Sequence, residues 1–148
     1  MRSPIVACVA AAMLFAETPA PPRIALTRVY PQDGQLGLFV AASDGSGERP
    51  LLSSPDTDYD PVWAPDGRSI VFTSERSGSA DLFRANPDGS GLTQLTTDPA
   101  YDDQAAFSPD SKQLVFVSTR GAGTANLWTM DLVTRRANED DTWPIRWW

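Results

Sequence analysis

Residues Trp63–Arg76 read WAPDGRSIVFTSER, and residues Phe107–Arg120 read FSPDSKQLVFVSTR. Pro65-Asp66-Gly67 falls on Pro109-Asp110-Ser111, Val71-Phe72 on Val115-Phe116, Ser74 on Ser118 and Arg76 on Arg120, each at an offset of 44 residues. The match extends beyond this stretch. DLFRANPDGSG (Asp81–Gly91) is echoed upstream by GLFVAASDGSG (Gly37–Gly47), again at 44. Downstream, NLWTMDLVT (Asn126–Thr134) matches it at 45, one residue having been inserted. A fixed period of this size dictates a repeat architecture, in which each unit buries its apolar surface against its neighbours. That constraint outranks any local propensity.

One unit can be read from its turns. DPVW (Asp60–Trp63) is followed by APDG, with Pro early and Gly late as a tight turn requires. Next comes SIVFTS (Ser69–Ser74), rich in β-branched and aromatic residues, whose unbroken apolar character predicts a strand covered on both faces. ERSGSA turns the chain, DLFRA (Asp81–Ala85) alternates, NPDGSG turns it again, and LTQLT (Leu92–Thr96) closes the unit. Four strands in a unit of this length make one blade of a β-propeller. No sustained 3.6-residue period appears after residue 20, so almost no helix is expected.

The expected fold is therefore all-β: propeller blades of four antiparallel strands, about three repeats, in an incomplete ring. The blades span approximately 21–54, 55–98 and 99–137, with the start of a next blade at 138–148. The first lacks its innermost strand, so that Ile24–Arg28, Leu38–Ala42 and Pro50–Ser53 are its second, third and fourth. Ser69–Ser74 and Gln113–Ser118 are expected to be the best-buried strands. Trp143-Pro144 and Trp147 read like a new DPVW segment. A ring this short would be a piece of a longer propeller or would complete itself by self-association through open blade edges.

Residues 1–20 carry Arg2, an apolar run from Ile5 to Ala16, and then Thr18-Pro19-Ala20. That is the pattern of a secretory signal peptide, and the run is too short for a membrane span. Cys8 follows Ile5-Val6-Ala7, a loose lipid-attachment box, but too little apolar sequence precedes it for a signal core. Once residues 1–20 are removed no cysteine remains, which excludes disulfide and thiol chemistry. The expected location is periplasmic or secreted. The net charge is −7 with a single lysine, Lys112, so nucleic acid and anionic membrane surfaces are poor partners.

Catalytic chemistry finds little support. The chain has no histidine, which removes Ser-His-Asp triads and the usual zinc and iron sites. No serine sits in a G-x-S-x-G elbow, and the GSG stretches at Gly45–Gly47 and Gly89–Gly91 lack the Lys and helix of a phosphate loop. No enzyme activity and no cofactor are expected. Asp56, Asp58 and Asp60 alternate as in the start of a calcium loop, but Pro61 stands where such a loop needs Gly and no late Glu follows. Backbone capping in turns is the reading adopted for these aspartates and for Asp102, Asp103, Asp140 and Asp141.

Arg76 and Arg120 follow the second strand of their blades, at the end that also carries the loop into the next blade. They should share one face with Asp58, Asp60, Asp102 and Asp103. Ion pairs stitching neighbouring blades are the structural role expected of this set, and a rim for a protein partner is the functional one. The aromatic pairs Trp63/Phe107, Phe72/Phe116 and Phe83/Trp128 recur with the period and are expected in the core between blades.

WAPDGRSIVF, FSPDSKQLVF and the two DGSG turns resemble the Pro-Asp-Gly repeats of the TolB-like β-propeller family, related to the WD40 type. The resemblance covers Ile24–Trp148. It implies a periplasmic propeller, usually of six blades, that binds other proteins, an envelope lipoprotein among them. It also implies an alternative, since the same blades form the lid of prolyl-oligopeptidase-type serine peptidases. Asp66 and Asp110 sit in the repeated tight turns and should cap the backbone there. Asp66→Ala and Asp110→Ala are each expected to cost about 1 kcal/mol. Unchanged thermal melting of both variants would remove the turn role.

Overall fold

The computed structural model describes residues 23–30, 35–121 and 123–139. The readings of residues 1–20, Asp140-Asp141, Trp143-Pro144 and Trp147 lie outside the described residues. The rest is built of strands and turns, with no helix among the described residues.

Three antiparallel sheets follow one another along the chain. The first is β1 (Arg23–Val29), β2 (Leu36–Ala42) and β3 (Arg49–Pro50). The second is β4 (Asp58–Trp63), β5 (Ile70–Ser74), β6 (Asp81–Ala85) and β7 (Thr93–Gln94). The third is β8 (Asp102–Phe107), β9 (Gln113–Ser118), β10 (Asn126–Asp131) and β11 (Ala137–Glu139). Each strand pairs with its sequence neighbour, so every sheet is a meander.

The fourth strands are shorter than the apolar pattern predicts. The segment expected at Pro50–Ser53 is a strand only at Arg49–Pro50, and that expected at Leu92–Thr96 only at Thr93–Gln94. An outermost strand has one partner, and pairing stops once its side chains turn inward. Leu51 and Leu95 still donate their amides to Leu38 (2.8 Å) and Leu82 (2.7 Å). β11 pairs Ala137–Glu139 with Met130–Trp128. Asn138 and Glu139, assigned by the repeat spacing to a next blade, therefore belong to the third sheet.

Period-two alternation places the core in two layers. Ile70 and Phe72 of β5 pack with Leu38, Val40, Leu51, Phe83 and Ala85 between the first and second sheets. Val71, from the same strand, packs with Leu82, Leu95, Leu114, Phe116 and Met130 between the second and third. All of β5 is thus buried, as its apolar run predicts. β9 differs from that expectation. Leu114, Phe116 and Ser118 are buried, while Gln113 is exposed and Val115 and Val117 are half-buried. The second sheet has a neighbour on both faces, whereas β9 is covered on one face among the described residues. β6, with four of its five residues buried, is the second most buried strand. Burying a side chain such as Phe72 or Leu82 contributes about 1.5–3 kcal/mol.

The repeated tight turns behave as read. The Asp66 carboxylate accepts from the Arg68 amide (2.9 Å) and the Asp110 carboxylate from the Lys112 amide (3.1 Å). On the innermost strands, β4 and β8 each carry one extra residue between Tyr59 and Val62 and between Asp103 and Ala106. The bulges put Asp60 (φ 49°) and Gln104 (φ 54°) in the left-handed region at the same repeat position.

The DGSG turns supply a controlled comparison. Gly45 and Gly89 have nearly the same φ, 82° and 87°. A Cβ on Gly45 would meet nothing within 4 Å, whereas one on Gly89 would lie 2.2 Å from the Leu51 carbonyl oxygen of the first sheet. Gly45→Ala is expected to cost about 1 kcal/mol, the left-handed backbone alone. Gly89→Ala should cost about 1–3 kcal/mol more, because two sheets must move apart. Equal losses in denaturant unfolding would show that this contact does not limit the packing of the blades.

Candidate interaction face

Antiparallel pairing brings the start of each innermost strand beside the turn that follows the second strand. The backbone ties them, with the Glu75 amide on the Thr57 carbonyl (3.1 Å) and the Thr119 amide on the Tyr101 carbonyl (3.0 Å). A third bond, from the Asp102 amide to the Ala80 carbonyl (2.8 Å), joins the second sheet to the third at this same end.

Asp58 and Asp102 open β4 and β8, and both are buried, at 2% and 0% exposure. A buried carboxylate needs a cation. Arg76 supplies it for Asp58, one guanidinium nitrogen lying 2.7 Å and 2.8 Å from the two carboxylate oxygens. Arg120 pairs with Asp102 in the same way through one oxygen, and Asp102 Oδ1 has no partner among the described residues. Each arginine also donates its Nε–H to a serine, Arg76 to Ser74 (2.8 Å) and Arg120 to Ser118 (2.9 Å). Aromatic rings wall the guanidinium in. Arg76 Cζ is 5.0 Å from the Phe83 ring, and Arg120 Cζ is 4.8 Å from that of Trp128.

These pairs correct one expectation. They lie within a blade, joining its first strand to the turn after its second, and do not stitch neighbours. The links between blades come from other atoms. Thr73 Oγ1 donates to Asp103 Oδ1 (2.8 Å) across the second and third sheets, and the Asp60 amide donates to Thr27 Oγ1 (3.2 Å) across the first and second. The six residues are thus near one another, but in two sets. Asp58, Asp102, Arg76 and Arg120 are consumed in bracing. Asp60 is exposed and Asp103 half-buried.

Around Asp60 and Asp103 lies a surface that the repeat pattern does not mark. Tyr101 is 64% exposed. Tyr59, half-buried, has its hydroxyl pushed up to about 12, first by burial and then by the charges of Asp103, Glu75 and Asp60. Partial desolvation of its carboxyl, then the charge of Asp103, raises Asp60 above the usual aspartate range although the residue is largely exposed. The face is therefore acidic and aromatic. Tyr59 follows Asp58 whereas Tyr101 precedes Asp102, so the two tyrosines break the period, and repeat matching passes over them. Ser74 and Ser118 do obey it, but an identity across repeats does not reveal that a serine orients an arginine. Among the described residues no three carboxylates converge to hold a metal ion.

Comparison with known proteins agrees with this architecture. The family described as TolB beta propeller domain matches residues 9–139. The Tol-Pal system protein TolB of Bordetella pertussis (strain Tohama I) is 52% identical over 40 residues, 27% of this chain and 9% of that protein. The chain also overlays the crystal structure of TolB from Acinetobacter baumannii with a TM-score of 0.69 at 26% identity, covering 80% of this chain and 30% of that one. Puromycin hydrolase overlays with a TM-score of 0.60 at 22% identity, covering 78% of this chain and 22% of that one, a likeness of fold alone. The chain spans well under half the length of each.

The raised Asp60 has a consequence for pH. Its charge is disfavoured in the folded chain, so the stability contributed by its proton is fully present below the ordinary aspartate value of 3.8 and is lost as the pH rises through the raised value. Asn tolerates the left-handed backbone at this bulge. Asp60→Asn is expected to melt at a higher temperature than the parent at pH 7, with the gap closing by pH 3.5. A gap of equal size at both pH values would remove the electrostatic cause.

Proposed function

The chain belongs to the TolB β-propeller family, and from that premise we propose that it is an exported, non-catalytic module binding another protein of the bacterial cell envelope. The observation that carries this reading is the 52% identity, over 40 residues, to a Tol-Pal system protein. The proposed location is periplasmic or secreted, and the proposed partner class is an envelope lipoprotein. The contact face is the end of the blades bearing Asp60, Asp103, Tyr59 and Tyr101. Asp58–Arg76 and Asp102–Arg120 hold that face rigid from beneath. Exposed tyrosine beside carboxylates suits a small recognition site, because aromatic side chains contribute area at low entropic cost. Self-association is a further proposal, through open blade edges such as β1, which pairs only with β2 and carries the exposed Ile24 and Val29.

The alternative, the lid of a serine peptidase, is favoured by likenesses such as that to puromycin hydrolase, and 22% identity carries the blade architecture without the function. A downstream hydrolase domain with a nucleophile elbow in the encoding locus would decide for it.

Binding is tested by calorimetry against the peptidoglycan-associated lipoprotein of the source organism. Saturable heat is expected, with Tyr101→Ala and Asp103→Asn each weakening the affinity about tenfold, the cost of a moderate hot spot. The reading fails if no heat is released, or if neither substitution changes the affinity.

A further inference from the structure

A groove of about 300 Å³ opens between the first and second sheets, on the side of the DGSG turns. Its walls include Arg23 of β1, Val40 of β2, Gly47 just before β3, Arg49 of β3, Trp63 of β4 and Pro87 after β6. The two arginines set it apart. Arg23 donates to the Gly67 carbonyl (3.1 Å), and Arg49 donates to the carbonyls of Pro87 (2.7 Å) and Pro50 (3.3 Å). Among the described residues neither forms an ion pair; Asp88 feels the charge of Arg49 without closing on it. Arg76, Arg120 and Arg28, by contrast, each pair with a carboxylate. Arg23 also lies over the Trp63 ring, its Cζ 4.6 Å from the centroid, and the buried Trp63 Nε1–H has no acceptor among the described residues.

The repeat provides an internal control. Strand pairing matches Ile24 with Ile70 and Val40 with Arg84, so that Ser69 stands in the place of Arg23 and Thr93 in that of Arg49. The second and third sheets pack together without a guanidinium at either position, so stacking of blades does not require them. In a chain of net charge −7, two guanidinium groups left on neutral carbonyls beside an apolar, indole-floored groove form a locally cationic pocket. Its volume sits at the low end of ligand clefts, about 300–1,000 Å³.

We infer that this groove binds a carboxylate carried on a compact apolar body, the carboxylate between Arg23 and Arg49 and the apolar part against Trp63 and Val40. Such a group has two sources, a free small acid or the C-terminus of a peptide ending in an apolar residue. The inference is independent of the lipoprotein partner, because the groove and the acidic face use different residues.

The test is a titration of the full ¹⁵N-labelled chain with N-acetyl-leucine and with N-acetyl-leucinamide. The acid is expected to move the amide signals of Ala42, Ser46 and Gly47 saturably, and the amide to leave them in place. Arg49→Gln should weaken the acid about tenfold, as loss of a charged hydrogen bond predicts. Arg49 also reaches Pro87, so Arg23→Gln serves as a second variant, and unshifted signals from Val115 and Val117 in the third sheet report an intact fold. A tetrapeptide ending in leucine that binds at least about tenfold tighter than N-acetyl-leucine assigns the peptide C-terminus; equal affinity assigns the free acid. Absence of saturable shifts, equal binding of acid and amide, or unchanged affinity in both folded variants overturns the inference.

Discussion

A carboxylate buried at the head of the innermost strand must be neutralised, and the repeating part of this structure is arranged around that need. Asp58 lies at 2% exposure and Asp102 at 0%. Each obliges an arginine to reach back from the following turn, and that arginine obliges a serine two residues earlier to receive its Nε–H. The flat guanidinium then asks for aromatic walls, and Phe72, Phe83, Phe116 and Trp128 supply them. Removing one partner of such a pair costs about 3–5 kcal/mol, because the other charge is stranded. The recurring aromatics therefore do two jobs. One side of the ring packs between sheets, and the other confines a cation.

The first sheet shows what happens where this clamp is replaced. Arg28 faces Gly37 as Ser74 faces Asp81, so Tyr30 stands in the place of Arg76, and Gly37 in that of Asp81. The Tyr30 ring lies 5.5 Å from Phe39, which stands where Phe83 does. It fits there because position 37 has no side chain: a Cβ would sit 2.1 Å from the ring. In the second sheet the place of Gly37 is taken by Asp81, which is buried and accepts from Ser77 (2.5 Å), Thr96 (3.1 Å) and Gln94 (3.2 Å). One backbone plan thus accepts either an aromatic plug or a hydrogen-bonded carboxylate, provided that the neighbouring residues change together.

Much of this was legible in the residues. The 44-residue offset fixes the meander of four strands, the turn aspartates and the inter-sheet layers, because a repeat must present the same face to each neighbour. The burial of β9 was overestimated for a definite reason: an apolar strand is buried on both faces only when a sheet lies on each side, and the strand's own sequence does not carry that information. The reach of the arginines was misjudged in a similar way. Spacing puts Arg76 and Asp58 at one end of the ring, but the bulge at Asp60 and the backbone bond between Glu75 and Thr57 turn the pair inward upon its own blade.

Residues that obey the period hold the blades, and that obligation restricts what else they can do. Asp58, Arg76, Asp102 and Arg120 spend their charge on one another, and a partner cannot use it without unmaking the fold. Residues that break the period stand outside that carboxylate–arginine clamp. Tyr59 and Tyr101 stand on opposite sides of their repeated aspartates, and Arg23 and Arg49 are answered one repeat later by Ser69 and Thr93. The tyrosines gather with Asp60, Glu75 and Asp103 into an acidic, aromatic face, and the arginines converge on a groove that holds no ion pair among the described residues. Stacking of identical units leaves recognition to the departures from identity, and here those departures have opposite charge at separate places. Under the two proposals above, these blades offer a basic group one surface and a carboxylate another without either disturbing the clamp that stabilises both.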